Sequence, residues 1–399
     1  MKVLQINSVC GHGSTGRIVV DLHDLLLEQG NVCSVAFGIG AAVNISEKDI
    51  FRFSSKTDYY WHNLMSRFTD RAGFYSKTET RKLISFIESY APDLIHIHNI
   101  HGFYMNVEIL FDFLKSYGKP VIWTIHDCWP FTGHCAHYSD NGCYRWKTEC
   151  YGCPAKDRYP KSYFISNAKK NFRNKKRIFS GVPNLTITTP SDWLREQIEE
   201  SFLNCYPVVT INNGVDLSQF HYTESDFRKK YQLEKRKILL GVSSAWIPQK
   251  GLSDFIKLAG MLDDTYRIVI VGLDNQRELP ANILALPTVK NTRELVEIYS
   301  AADIYVSFSV EETFGLPTVE AMACGTPVLT YDKTALPEVV TPKCGIVVQA
   351  KNVNAAYDAI INFPVLNRAD IIECAKNYDC NLKYEEFLKL YIQSINNAN

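Results

Sequence analysis

The chain has 399 residues, enough for two domains at roughly 100–200 residues each, and its 43 Lys and Arg balance 43 Asp and Glu. A zero net charge gives no global reason to expect nucleic acid or membrane as a partner. The opening run Met1-Lys-Val-Leu-Gln-Ile-Asn7 lacks signal-peptide architecture, and no apolar stretch approaches the roughly 20 residues that span a bilayer, so a soluble, cytoplasmic protein is expected. A reducing cytosol disfavours disulfides, so most of the twelve cysteines, Cys10, Cys33 and Cys324 among them, read as buried small hydrophobes.

Val3 to Asn7 reads as a buried strand, followed by Gly11-His-Gly-Ser-Thr-Gly16 and an amphipathic helix from Ile18 to Glu28. The glycines fit a dinucleotide fingerprint, but the second strand, Val32 to Gly38, lacks the acidic residue a nicotinamide cofactor would want. Two readings remain for Gly13 and Gly16: backbone amides approaching a diphosphate, or a merely tight turn. Strands recur at Leu94 to His98, Val121 to Ile125 and Leu185 to Thr189, with helical stretches between them at Thr80 to Tyr90 and Asn106 to Tyr117. That alternation predicts an α/β domain with a parallel sheet. His96, His98, Asn99 and His101 gather at one strand end and His126-Asp127 at the next, where such sheets bind ligands. His126 is the candidate for direct substrate contact.

An insertion rich in Trp, Tyr and Gly follows. Cys135, Cys143, Cys150 and Cys153 within it are spaced x7, x6 and x2, which suits either a structural zinc site or a reduced or disulfide-bonded cluster. Residues 145–177 hold eleven basic side chains against Glu149 and Asp157, an excess of 11 − 2 = 9, interleaved with Tyr159, Tyr163, Phe164 and Phe172. This stretch reads as a face for an anionic membrane surface or a phosphate-bearing acceptor, or as a solvated helix. No nucleic-acid motif accompanies it.

Ser191 or Asp192 caps a helix start, and Asn212-Asn-Gly-Val-Asp216 is the expected linker. A second α/β domain begins at Lys237 to Ser243. Lys250 near a helix start suits a phosphate. Further strands are expected at Arg267 to Gly272, Ile304 to Phe308 and Pro327 to Tyr331, and a helix at Tyr384 to Ile395. The most informative stretch, Ser307 to Val328, reads as strand, polar loop and helix. Its helix start offers N–H groups to anions, while Glu312 and Glu320 beside it point to hydroxyls. A ligand with both phosphate and polyol fits.

Glu312-Thr-Phe-Gly-Leu-Pro-Thr-Val-Glu320 followed by Ala-Met-Ala-Cys-Gly-Thr-Pro-Val resembles the signature of retaining GT-B glycosyltransferases of glycosyltransferase family 4. Asn213-Gly-Val-Asp216, Lys250-Gly251 and Glu294 to Asp303 lie in that family's order and spacing, so the resemblance covers essentially the whole chain. The run His126-Asp-Cys-Trp-Pro-Phe-Thr-Gly-His134 is similar to a subgroup of exopolysaccharide and colanic-acid-type synthesis. The resemblance implies an α/β, GT-B architecture of two Rossmann-like domains with parallel sheets facing a cleft. Residues 1–212 would form the acceptor side, 213–375 the nucleotide-sugar side, and 376–399 a C-terminal helix packing back on the first domain.

By the same resemblance, Glu320 would bind the donor's ribose. Glu312, with Thr313, Phe314, Gly315 and Leu316, would hold the donor sugar, and Lys250 with the Gly13–Gly16 turn would neutralise the diphosphate. His126 would touch the transferred sugar, and Leu295 with the loop from Val289 to Thr292 the base. The implied reaction is retaining transfer of a sugar, with UDP-hexose the favoured donor, to a saccharide or lipid-linked acceptor, without a catalytic metal. One departure stands out: Ala245 occupies the place of a family arginine, so either Arg17 or Lys333 substitutes for it or leaving-group activation is weaker. It keeps open a second class, a nucleotide-sugar-binding partner that has lost catalysis. An epimerase or a phosphorylase fits the motifs poorly.

Overall fold

The computed structural model describes residues 1–274, 278–289 and 291–398. Their contacts separate two units, Met1–Ile211 with Tyr384–Asn399, and Asn212–Lys383. The first holds a seven-stranded parallel sheet of β1 (Lys2–Asn7), β2 (Val32–Phe37), β3 (Ile50–Arg52), β4 (Leu94–Ile97), β5 (Val121–Thr124), β6 (Leu185–Thr189) and β7 (Val208–Thr210), in the spatial order β3-β2-β1-β4-β5-β6-β7. The second holds β8 (Lys237–Val242), β9 (Tyr266–Val271), β10 (Ile283–Leu286), β11 (Ile304–Ser307), β12 (Val328–Tyr331) and β13 (Gly345–Val348), ordered β10-β9-β8-β11-β12-β13. Each order reverses once, beside its own first strand, and such switch points are where open parallel sheets bind ligands.

The central strands are buried on both faces, so they read as continuous apolar runs such as Val121 to Thr124. Trp123 packs against Phe111 and Phe179 with ring centroids 5.1 and 5.2 Å away, which ties β5 to helices on the sheet. Helix ends follow local chemistry. Asn106 caps the helix Val107–Tyr117 by accepting the Ile109 N–H at 3.0 Å, and Gly118, at φ 77°, ends it. Ser191 caps Asp192–Glu199 by accepting the Leu194 N–H at 3.2 Å.

The expected segment 376–399 does not behave as one piece. Residues up to Lys383 cluster with the second unit because Val215 N–H donates to Tyr378 O at 2.8 Å and Cys380 N–H to Val215 O at 3.0 Å. Gly214 is required there, since a Cβ would lie 2.3 Å from Cys380 Cα. From Tyr384 onward the helix Cys380–Ala398 packs in the first unit, with Tyr384 donating to Asp21 at 2.9 Å and the Tyr391 hydroxyl 2.5 Å from His96 Nδ1.

Cys135, Cys143, Cys150 and Cys153 line one small apolar pocket. Among the described residues, however, no group of three or more His, Cys, Asp or Glu side chains is arranged to hold a metal ion. Within the set Cys135 donates to Cys153, and Gly133 N–H donates to Cys150 Sγ at 3.2 Å. An aromatic core organises the insertion, with Trp146 4.9 Å from Phe131 and 5.1 Å from Tyr138 between ring centroids. Several side chains of the basic stretch 145–177 are engaged in ion pairs. Lys147 pairs with Glu200 and Arg158 with Asp140, Lys169 and Arg173 share Glu149, and Arg177 pairs with Glu108. Lys175 is buried.

Candidate active site

In the second unit the switch point lies between β8 and β11. The loop after β8 ends in the single turn Pro248–Lys250 and Gly251, whose φ of 75° lets it pass under Phe308; a Cβ there would lie 2.4 Å from Phe308 Cβ. The loop after β11 carries Glu312. Its backbone is held from both sides: Glu312 N–H donates to Thr334 Oγ1 at 2.9 Å and Ala335 N–H to Glu312 O at 3.2 Å. Fixed in this way, the Glu312 carboxylate meets Lys250 Nζ at 2.5 Å, both side chains half-buried. Lys250 and Glu312, expected to serve phosphate and sugar separately, form one ion pair.

Thr313 and the buried Phe314 lead to Gly315, at φ 96°, which opens the helix Leu316–Ala323 with Pro317 in its first turn. Gly315 has no side-chain capping bond, and a Cβ there would sit 2.8 Å from Leu336 Cδ2. Glu320, on this helix, is buried and accepts the Tyr299 hydroxyl at 2.8 Å. Burial, reinforced by that carboxylate, pushes the Tyr299 phenol well above its ordinary range, so it acts as a neutral donor. Leu295 lies half-buried on the helix Thr292–Ala301 against the second unit's core. Of the loop from Val289 to Thr292, Lys290 lies outside the described residues.

In the first unit the switch point lies between β1 and β4. The loop after β1 runs into the helix Gly13–Glu28, with Gly13 exposed at φ 65°. Gly16 closes the turn, its carbonyl accepting the Gly11 N–H at 3.0 Å, and a Cβ on it would lie 3.1 Å from Gly11 N. The two glycines therefore differ: Gly16 is a packing glycine, and Gly13 faces solvent at the helix start. His98 follows β4 and His126 follows β5. His98 Nδ1 lies 3.3 Å from His126 Nε2, the rings within 13° of parallel. Burial pushes the His126 imidazole down to about 4 against the opposing pull of Asp127, so the ring is neutral near pH 7.

The remaining histidines of the cluster have partners of their own. His96 bridges Tyr391 and Thr124, the latter with Nε2 to Oγ1 at 2.6 Å. His101 lies between Asp127, at 2.5 Å, and the Tyr159 hydroxyl, at 2.9 Å. Burial would raise the Asp127 carboxyl, but His101 and the Trp129 N–H outweigh it and bring it to about 2. Sequence reasoning did not single out Tyr299, Thr334 or Gln5. The signal for Gln5 was available as a lone amide within the apolar run Val3 to Ile6.

Two family models match consecutive parts of the chain: residues 16–219 match the model described as Glycosyltransferase Family 4, and residues 223–377 the one described as Glycosyl transferases group 1. The chain is 23% identical over 368 residues to a protein of Escherichia coli (strain K12) named as the colanic acid biosynthesis glycosyl transferase WcaC, covering 88% of each. It is 35% identical over 167 residues to the O-antigen chain mannosyltransferase RfbU of Salmonella typhimurium, covering 39% of this chain and 44% of that one. Among solved structures, sucrose-phosphate synthase from Thermosynechococcus elongatus superposes with a TM-score of 0.69 at 16% identity, covering 98% of this chain and 99% of that one. Anabaena HepE in complex with UDP superposes with a TM-score of 0.69 at 13% identity, covering 98% and 100%, and its complex with UDP-glucose with 0.65 at 14%, again covering 98% and 100%. With matched motifs in both halves and a backbone shared with GT-B enzymes over nearly its full length, the chain belongs to glycosyltransferase family 4 and has the GT-B fold of two Rossmann-like domains.

Proposed function

We propose that this protein transfers a hexose, with retention of configuration, from a UDP-sugar to a saccharide or lipid-linked acceptor in the synthesis of a bacterial surface polysaccharide. The observation that carries the reading is the Lys250–Glu312 pair at the β8 and β11 strand ends, followed by the helix that bears Glu320. A departing diphosphate needs positive charge as its bond breaks, and an oxocarbenium-like carbon needs negative or dipolar neighbours. Lys250 and the N–H groups at the start of Leu316–Ala323 supply the first, joined by the Gly13 turn. Glu312 and the Phe314, Gly315 and Leu316 amides hold the sugar's hydroxyls, Glu320 the ribose, Leu295 the base, and His126 the transferred sugar. With no protein nucleophile assigned, the acceptor attacks on the face the diphosphate leaves, and the leaving phosphate takes its proton. Chelation by EDTA is accordingly expected to leave turnover unchanged.

The UDP and UDP-glucose held by the HepE structures support a uridine donor, and the names of WcaC and RfbU support a polysaccharide product. Ala245 leaves one cation fewer than the family pattern. Lys333 adjoins Thr334, which accepts the Glu312 N–H, and is the cation of the same unit best suited to substitute. For a lipid-linked acceptor the reading includes attachment to an anionic membrane surface. Exposed Trp61, Phe68, Tyr163 and Phe164 support it.

The test is transfer from a panel of nucleotide sugars by wild type, Glu312→Ala and Lys250→Ala. Either substitution should lower kcat by about 100-fold or more, the usual cost of one transition-state electrostatic partner. Unchanged turnover would overturn the site assignment. Ala245 favours the second reading, a binding partner without catalysis; thermal stabilisation by UDP-glucose with no transfer to any acceptor would establish it.

A further inference from the structure

We propose that Gln5 and His98 act as positioning residues that fix the hydrogen-bonding polarity of His126, so that its Nδ1 meets the substrate as an acceptor. The inference rests on the reading of His126 as a substrate contact. It starts inside the sheet, at a buried amide on β1. Gln5 Nε2 lies 2.8 Å from the Val19 carbonyl, which can only accept, so this atom is the amide's NH2. Gln5 Oε1 is therefore the atom 3.2 Å from His98 Nε2, and an amide oxygen also only accepts. His98 Nε2 must carry the proton.

His98 is fully enclosed, and burial, with His96 and His126 beside it, holds its imidazole well below the ordinary range. A neutral ring protonated at Nε2 has a bare Nδ1. That nitrogen faces His126 Nε2 at 3.3 Å, so His126 Nε2–H donates to it. His126, also neutral, is left with a bare Nδ1. Each step passes one polarity to the next: Val19 carbonyl, Gln5 amide, His98 ring, His126 ring. The other titratable neighbours are already committed. His96 is held by Tyr391 and Thr124, and Asp127 by His101 and the Trp129 N–H.

Two consequences follow for the reaction. A bare nitrogen selects a sugar hydroxyl, which donates, over a deoxy or ether position, which offers that acceptor no proton. A ring kept uncharged also adds no positive charge beside a carbon that becomes cationic in the transition state. A free histidine near its ordinary pKa would be partly protonated at the same pH and would do both less well.

The test is nitrogen NMR of the full-length protein labelled with ¹⁵N-histidine, His126 being assigned by comparison with His126→Gln. The expected spectrum near pH 7 shows His126 unprotonated at Nδ1 and protonated at Nε2, and His98 the same. Protonation of His126 at Nδ1, or on both nitrogens, would overturn the proposal. In His98→Phe, which removes the acceptor, the His126 tautomers should mix, and kcat/KM with UDP-glucose should fall by about tenfold, the effect of one hydrogen bond. His98→Asn, whose amide can accept again, should recover most of the loss and restore the single tautomer. Tautomer mixing without recovery in His98→Asn would count against the relay. If His126→Gln leaves transfer unchanged while the tautomer is as expected, the substrate role of His126 fails and the relay stands, so the two failures are distinguishable.

Discussion

Tyr299 shows how a residue without catalytic chemistry can set a binding affinity. Its hydroxyl donates to Glu320 Oε2 at 2.8 Å from the helix Thr292–Ala301, fixing the carboxylate assigned to the ribose. Tyr299→Phe keeps the ring's packing against Phe220 and Tyr305 and removes only that donor. About 1 kcal/mol of lost orientation corresponds to a threefold to tenfold rise in KM for the donor. Because the sugar and diphosphate contacts are untouched, kcat should stay near wild type; steady-state kinetics at varied donor concentration separate the two, and a fall in kcat alone would refute the assignment. Glu312 and Glu320 could be singled out in the sequence because they are spaced along one loop and helix, and Lys250 because it stands beside a helix start; the pairing of Lys250 with Glu312 could not. Tyr299, Thr334 and Gln5 were not singled out, because each acts on a residue far away in the chain, and only the sheet order brings them together.

At the scale of one element, the helix Ala168–Phe179 illustrates a different limit. Its sequence is so rich in lysine and arginine that it reads as a solvated or lipid-facing surface, yet Lys175 is directed inward. Lys175 Nζ donates to the Trp129 carbonyl at 2.7 Å and the Thr132 carbonyl at 3.1 Å, and lies 3.3 Å from the centre of the Trp129 ring. Burial brings its ammonium down to about 7. A neutral amine still has two N–H donors, which match the two carbonyls. The unfolded lysine titrates near 10.4, so between about pH 7 and pH 10 the unfolded chain binds more protons than the folded one. Stability should therefore rise with pH across that window, by up to about 1.4 kcal/mol per pH unit from this residue. Below both values the contribution is flat. The measurement is urea denaturation of wild type and Lys175→Met at several pH values. The rise should be larger in wild type by that increment, and equal slopes would show that Lys175 is charged in the folded state. For the cysteines of the same insertion, spacing limits which thiols can meet, and the aromatic packing around Trp146 organises the loops that carry them.

Across the whole molecule, the alternation of strands and helices was readable because buried parallel strands are continuous apolar runs. The strands β3, β10 and β13 lie at sheet edges and are only partly buried, so they fell below that signal. The helix Lys56–Thr69 was missed for a more instructive reason: its amphipathicity is inverted. His62 and Ser66 are buried, while Tyr60, Trp61, Leu64 and Phe68 are exposed, Trp61 at 57%. Phe68 continues the patch onto a neighbouring loop, 6.1 Å from Tyr163 and 5.8 Å from Phe164 between ring centroids, with Phe164 71% exposed. Exposed Lys56 and Lys161 flank it, residues 159–170 contain no carboxylate, and Asp58 on the helix accepts the Ser76 hydroxyl at 2.5 Å. Aromatic side chains ringed by cations are the composition of a surface that rests in the headgroup layer of an anionic bilayer. Wild type should therefore co-sediment with vesicles containing phosphatidylglycerol, and less with pure phosphatidylcholine or at high salt. Trp61→Ala with Phe164→Ala should weaken binding by about tenfold or more while changing stability by less than about 1 kcal/mol, since both side chains are exposed. Equal binding by the double variant, or no binding by wild type, would remove the membrane from the proposed function and leave a soluble saccharide as the acceptor to pursue.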